Sequence, residues 1–260
     1  MLAKTKGIII GSVPLYVLTG GESVAKGLDI LVPASSEATM KIFLRSEFGY
    51  SLTDTNIHRG AHGTLRMKYT YQKGRKTIML RVATGENPLV PLMFSETTLT
   101  MGFISAWGVF CGYPKLTLWR RGLLNHFTDD DHDEKTGKSY LRVTAAVNKF
   151  QNEGYNLSAN PGQWQGPLHR CYTSAICTHT IRSLYDPSGL FVSFGVREHQ
   201  RAYISHAIRY DDRYTVVWSL GGNFCHDPVL YHKAFSQSQR IYPRAMNPEE
   251  YPFEEDSEDE

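Results

Sequence analysis

Gly7-Ile8-Ile9-Ile10-Gly11-Ser12, followed by Gly27-Leu28-Asp29-Ile30-Leu31-Val32-Pro33, is the stretch on which the fold turns. The isoleucine run is short and β-prone and ends at Gly11-Ser12. Residues 14–18 then read as a short helix, because proline is tolerated in a first turn, and Gly20-Gly21 stop it. Residues 28–32 read as a buried strand, broken by Pro33. Ser35 or Ser36 is placed to cap the next helix, with Glu37 in its first turn. Met40, Phe43 and Leu44 share one face of that helix, and Phe48-Gly49-Tyr50 ends it.

Outward from this opening, two strands are expected at 63–71 and 76–83, joined across Gln72-Lys73-Gly74-Arg75. Arg66, Lys68, Lys73, Arg75 and Lys76 interleave there with Tyr69 and Tyr71. That pattern suits a basic hairpin for nucleic acid or phosphate. The same alternation is what an ordinary half-buried hairpin shows, and this second reading is preferred. Residues 91–108 fit a helix leading into a strand or second helix, and 116–124 contain Trp119-Arg120-Arg121. A helix is expected over 139–150, a loop over 156–166, and strands over 190–194 and 214–220, the last closed by Gly221-Gly222-Asn223. The layout is therefore a first domain over 1–127, an acidic loop over 128–138, a C-terminal α+β part over 139–246 packed on the first, and a disordered acidic tail over 247–260.

The 260 residues are 41% apolar and 21% charged, enough for a sizeable core and unlike a globally disordered chain. No apolar run is long enough to span a membrane. The first residues offer no small-residue cleavage site, so no signal peptide is expected. Four cysteines, at 111, 171, 177 and 225, make a reduced intracellular setting, cytoplasmic or nuclear, the default expectation. The net charge of +2 hides an uneven distribution. Residues 249–260 hold eight acids and no base, and five more acids lie between Asp129 and Glu134. The remaining body carries 28 basic and 13 acidic residues, close to +15. Such a body attracts phosphates, and an acidic tail can shield it. Lysines and arginines that merely solvate the surface are the plainer explanation.

In its order of strand, Gly11-Ser12 turn, helix and Asp29-bearing strand, the chain resembles the nucleotidyltransferase fold of the polymerase-beta-like enzymes. In that superfamily Gly followed by Gly or Ser precedes a strand carrying Asp-x-Asp. The turn brings backbone N–H groups and a hydroxyl to a triphosphate at a helix N-terminus. The two acids share one face of the strand. With a third acid on a neighbouring strand they hold two divalent metals, which align the attacking oxygen and the leaving pyrophosphate. A longer likeness runs through Asp29-Ile30-Leu31-Val32-Pro33, Phe43-Leu44, Gly49-Tyr50, Pro91-Leu92, Tyr113-Pro114-Lys115-Leu116-Thr117 and Arg120-Arg121-Gly122. It is similar to a group of nucleotidyltransferase-like proteins of mushroom-forming fungi. It covers about half the chain, to Asn125, and continues weakly through Cys171, Cys177 and Arg182. The resemblance implies an α/β (α+β) fold, a nucleotidyltransferase-like mixed sheet with flanking helices, plus a smaller β-containing C-terminal part. It implies Gly11 and Ser12 as the nucleotide-binding turn, Asp29 as metal ligand and catalytic acid, and Mg2+ as the metal if activity survives.

The chain departs from that pattern at two positions. Gly27 stands where the first acid belongs. The strand expected to carry the third acid reads Thr-Ile-Met-Leu-Arg-Val-Ala over 77–83, so Met79 or Arg81 takes its place. One carboxylate is a poor holder of two magnesium ions, which need several oxygen ligands, whereas an arginine can hold a phosphate directly. Glu22, in the loop before Asp29, is the nearest substitute acid in sequence.

Other constellations are weaker. His169-x-Cys171 and Cys177-x-His179, with Cys225 and His226, supply enough ligands for zinc, but their spacing is not that of a finger or ribbon. A Cys171–Cys177 disulfide is the alternative, and ordinary residues the commoner case. Asp129-x-Asp131-x-Asp133 fails as a calcium loop, with Glu134 where Gly is needed and Tyr140 where a bidentate Glu is needed. Gly20 to Lys26 lacks the Gly-Lys-Ser/Thr of a Walker loop. The leading expectation is a nucleotidyltransferase-like protein, catalytically degenerate, binding a nucleotide or other phosphate ligand. An active metal-dependent enzyme using Asp29, and a non-enzymatic nucleic-acid or protein binding module, are the alternatives.

Overall fold

In the computed structural model a single helical turn, α1 (Leu2–Thr5), leads into β1 (Ile8–Ile10). The structure describes residues 1–21, 27–57, 63–125, 138–165, 173–184, 186–194, 214–220 and 243–245. The chain turns at Gly11 into α2 (Ser12–Thr19) and returns as β2 (Leu28–Val32), antiparallel to β1, with Ile8 opposite Leu31 and Ile10 opposite Asp29. Helix α3 (Glu37–Ile42) continues through a π-helical turn at Phe43–Glu47. Strands β3 (Ser51–Ile57), β4 (Leu65–Lys73) and β5 (Lys76–Ala83) form a meander whose last member lies parallel to β2. After α4 (Leu89–Met93) come β6 (Gly102–Ile104) and β7 (Gly108–Cys111), then α5 (Pro114–Thr117) and β8 (Arg121–Leu123). The later elements are α6 (Lys138–Asn152), β9 (Asn156–Ser158), α7 (Gly162–Gln165), β10 (Arg182–Ser183), β11 (Leu190–Ser193), β12 (Tyr214–Trp218) and β13 (Pro243–Ala245).

Eight strands make one mixed, mostly antiparallel sheet in the order β11-β7-β6-β1-β2-β5-β4-β3, and β2–β5 is its one parallel pair. Smaller sheets join β8 to β9 and β10 to β12 and β13. The period-two alternation of strand side chains divides the apolar residues between two faces. Ile30 and Val32 of β2 meet Met40 of α3 and Leu44 of the π-helical turn, together with Tyr71, Ile78 and Leu80. Leu31, between them, joins Ile8, Ile10, Leu92, Phe103, Phe110 and Tyr113 on the opposite face. Asp29 therefore shares the face of Leu31, at the end of β2 where the strand is only partly buried.

The second half of the chain adds to this frame. β11 pairs with β7, and Ile176, Leu184, Val216, Trp218 and Leu220 lie in the same core as Ile8 and Phe103. Arg182 is almost fully buried and ties these parts together. It donates to the carbonyls of Ala175 (2.6 Å) and Gly112 (2.9 Å), binds the Asp186 carboxylate, and stacks 4.7 Å from the Tyr113 ring centroid.

Three local expectations are corrected. The polar strand β3 lies where no strand was expected. The stretch expected as a loop over 156–166 holds β9 and α7, β9 being anchored to β8 by parallel pairing. The side chain of Ser36 makes no cap at α3. Glu86 accepts from the Ser35 backbone N–H at 3.1 Å and from the Ser35 hydroxyl, which ties the 3-10 turn Ala34–Ser36 ahead of α3 to a distant loop. The basic hairpin is half-buried, with Tyr69 and Tyr71 in the core and Arg66 exposed. Among the described residues no helix is long and apolar enough to cross a membrane.

Candidate functional site

The strand-to-helix turn after β1 opens onto a cleft of about 530 Å³. Its floor is Gly11, Ser12, Gly27, Asp29, Met79 and Arg81. Gly11 sits at φ 78°, ψ −135°, a region that side-chain-bearing residues rarely enter, and a Cβ there would lie 3.4 Å from the Asp29 carboxylate. Glycine thus lets the chain turn sharply into α2 close to the Asp29 carboxylate. Pro14 has no N–H, so the first turn offers fewer backbone donors than a helix N-terminus usually does.

Asp29 and Arg81 meet because of the parallel register. Asp29 is opposite Met79 on β5, and Arg81, two residues on, is on the same face. Arg81 reaches back diagonally, and its Nη2 donates to Asp29 Oδ2 at 3.0 Å. The side chains are 29% and 16% exposed, so the pair is partly dry. Arg81 Nε is buried and has no partner among the described residues.

The facing walls come from distant parts of the chain: Leu92, Ser95, Glu96 and Thr100 on one side, and Ala146, Lys149, Phe150 and Glu153 of and just beyond α6 on the other. Glu153 Oε2 is buried and lacks a partner among the described residues. No family model, curated protein or solved structure matches the chain. The chemistry of the cleft is therefore read from its own residues.

The donor set does not fit a two-metal centre. Asp29 is engaged by Arg81, and Gly27, Met79 and Arg81, which line the cleft beside it, carry no carboxylate. A Cβ at Gly27 would lie 3.2 Å from the Thr77 carbonyl, so a side chain there would be tightly placed. Among the described residues no group of three or more His, Cys, Asp or Glu could hold a metal ion. The cleft instead combines two cations, Arg81 and Lys149, with the carboxylates of Asp29, Glu96 and Glu153 and the hydroxyl of Ser12. That mixture suits a ligand with both anionic and hydrogen-donating groups.

Gly11, Ser12, Asp29 and Arg81 line the same cleft. The structure does not address several other sequence candidates. Glu22, His169, Cys171, Cys225, His226, the acids at 129–134 and the tail at 249–260 lie outside the described residues. Of the His/Cys cluster, Cys177 and His179 are described; Cys177 is buried, its N–H bonded to Ser174 O at 3.0 Å. Sequence reading missed the α6 wall. A signal was present: residues 146, 149, 150 and 153 follow the i, i+3, i+4, i+7 spacing of one helix face.

A second, more open groove of about 1060 Å³ lies between α3 and β3 and includes Glu37, Lys41, Arg45 and Arg66. Most of its charge is internally matched: Glu37 accepts from Lys41 Nζ at 3.5 Å and from Arg66 and the Tyr69 hydroxyl. Burial raises the Glu37 pKa, but the Tyr69 and Arg66 hydrogen bonds and the nearby cations outweigh it and hold the carboxyl below its ordinary 4.5. Burial, then the Glu37 hydrogen bond, pushes Tyr69 up to about 12. Nothing in this groove matches the Gly11–Asp29 turn, so the smaller cleft is the candidate site.

Proposed function

We propose that the chain is a nucleotidyltransferase-like protein that holds a nucleotide or another phosphate-bearing ligand in the Gly11–Asp29 cleft without two-metal catalysis. The observation that carries this reading is the Arg81–Asp29 ion pair. An arginine stands on the neighbouring parallel strand where a metal-holding acid is needed, and its guanidinium supplies the positive charge fixed in place. The order β1, glycine turn, α2, β2, with β2 antiparallel to β1 and parallel to β5, supports the fold part of the proposal. Ser12 and the N-terminal end of α2 would face the phosphates. Arg81, with Nε uncommitted, would donate to them in the charge-assisted manner that suits guanidinium, and Lys149 would face them from α6. Asp29 orients Arg81 rather than binding a metal.

Calorimetry with ATP, GTP, CTP and UTP, with and without magnesium, tests the proposal. Binding of at least one nucleotide, undiminished without magnesium and weakened about 10-fold or more in Arg81→Ala, is expected. No heat with any of the four would remove the nucleotide from the reading. A second reading, an active metal-dependent enzyme, rests on Glu96 and Glu153, whose carboxylates line the same cleft. Magnesium-dependent transfer of label from a nucleotide, abolished in Asp29→Ala, would establish it in place of the first.

A further inference from the structure

Beyond α5 the chain makes a turn, residues 118–120, that presents an unusual surface. Trp119 is 74% exposed, with Leu118 beside it at 47%. Lys115, Arg120 and Arg121 are exposed as well. None of the three cations forms an ion pair among the described residues. Two of them rest on aromatic rings instead: the Arg120 guanidinium lies 5.7 Å from the Tyr155 ring centroid, and that of Arg121 lies 4.9 Å from Trp164. A guanidinium laid over a ring keeps its N–H edge free for other acceptors. Arg120 also has φ +54°, a left-handed conformation in which only it and Lys6 are found among described non-glycine residues. For a residue with a Cβ this conformation is strained. The turn is held by Arg120 N–H to Thr117 O at 3.0 Å and by Asn156 N–H to Arg120 O at 2.8 Å.

We propose that this turn is a docking surface for single-stranded nucleic acid. An unpaired base stacks on the Trp119 indole while Lys115, Arg120 and Arg121 meet the flanking phosphates. The one-sign charge beside an exposed ring argues for this partner. Three cations within four residues of Trp119 in sequence, with no carboxylate paired to them among the described residues, complement a chain of phosphates. The exposed ring also favours a single strand over a duplex, since a free indole face can take only a base that is not already stacked within a helix. The surface lies outside the cleft and does not depend on what the cleft binds.

The test uses the full chain and a fluorescein-labelled oligouridylate, followed by anisotropy over a salt series. Binding is expected to weaken with salt, with a log–log slope of about −2 for three phosphate contacts on a single strand. Trp119→Ala should weaken it about 10-fold or more, the loss of one stacked base. Arg120→Gly relieves the left-handed strain, so it keeps the fold, and should lower the slope by about 0.7. A duplex of equal length should bind more weakly than the single strand. No binding at low salt would overturn the proposal, as would an affinity unchanged in both variants. Polyphosphate competing as well as the oligouridylate, with Trp119→Ala without effect, would show charge attraction alone and overturn it too.

Discussion

At the scale of single residues, the Asp29–Arg81 pair separates two chemistries that the fold can serve. In a metal-dependent site the Asp29 carboxylate is indispensable, because it carries the cation. In a site where Arg81 supplies the charge, the carboxylate orients the guanidinium and also offsets part of its attraction for an anion. Asparagine keeps an acceptor oxygen for Arg81 Nη2 and drops the negative charge. Asp29→Asn is therefore expected to strengthen nucleotide binding by about 3- to 10-fold, measured by calorimetry without magnesium. A loss of binding in this variant would count against the arginine-centred reading. The substitution should barely change stability, because a partly exposed ion pair contributes about 0–1 kcal/mol.

At the scale of elements, α3 is fastened to the β4–β5 hairpin through Glu37, which receives Lys41, Arg66 and the Tyr69 hydroxyl. Because the folded carboxyl titrates below its ordinary 4.5, its ionised form is favoured by folding. The stabilisation is complete above pH 4.5 and is lost as pH falls through the lower, folded value. Urea midpoints should therefore show wild type exceeding Glu37→Gln at neutral pH, with the gap closing on the acid side of 4.5. A gap of constant size at both pH values would show that Glu37 does not act through its charge. Tyr69 works in the other direction: its stabilisation holds below pH 10 and fades as pH rises toward about 12.

The same elements show what the sequence made legible and what it did not. β1 and β2 were readable as short continuous apolar runs, and β4 and β5 because alternate residues are buried and leave a period-two signal. β3 was not, since all seven of its residues, Ser51–Ile57, are exposed on both faces at the sheet edge, so no alternation marks it. The α3 start misled for a different reason. The Ser35 N–H and hydroxyl are taken up by Glu86, fifty-one residues away, and the Ser36 side chain makes no cap hydrogen bond. In the cleft, Gly11, Ser12 and Asp29 were legible as a local motif. Arg81 was legible only as the wrong residue in an expected place, because its meeting with Asp29 depends on the parallel register of two strands far apart in sequence. Lys149 and Glu153 needed the tertiary fold to bring α6 across.

At the scale of the whole molecule, the two halves of the chain share a core and one buried cation. Arg182 is 1% exposed, and its guanidinium satisfies the Gly112 carbonyl from the β7–α5 connection as well as Ala175 O and Asp186 from its own segment. Its neighbour Tyr113 is fixed in turn by the Trp218 indole N–H, which donates to the Tyr113 hydroxyl at 3.0 Å. Removing the guanidinium leaves two carbonyls and a carboxylate short of donors in a dry setting. An apolar replacement of similar length cannot supply them. Arg182→Met should therefore cost about 3–5 kcal/mol, the range for breaking one side of a buried pair. Because β11 and Trp218 pack into the same core as Ile8 and Phe103, the loss should fall on the molecule as a unit. Chemical denaturation followed by tryptophan fluorescence and by far-ultraviolet circular dichroism should give coincident single transitions, both displaced to lower urea in the variant. Two separated transitions, with only one displaced, would show instead that the second half unfolds by itself and that Arg182 stabilises that half alone.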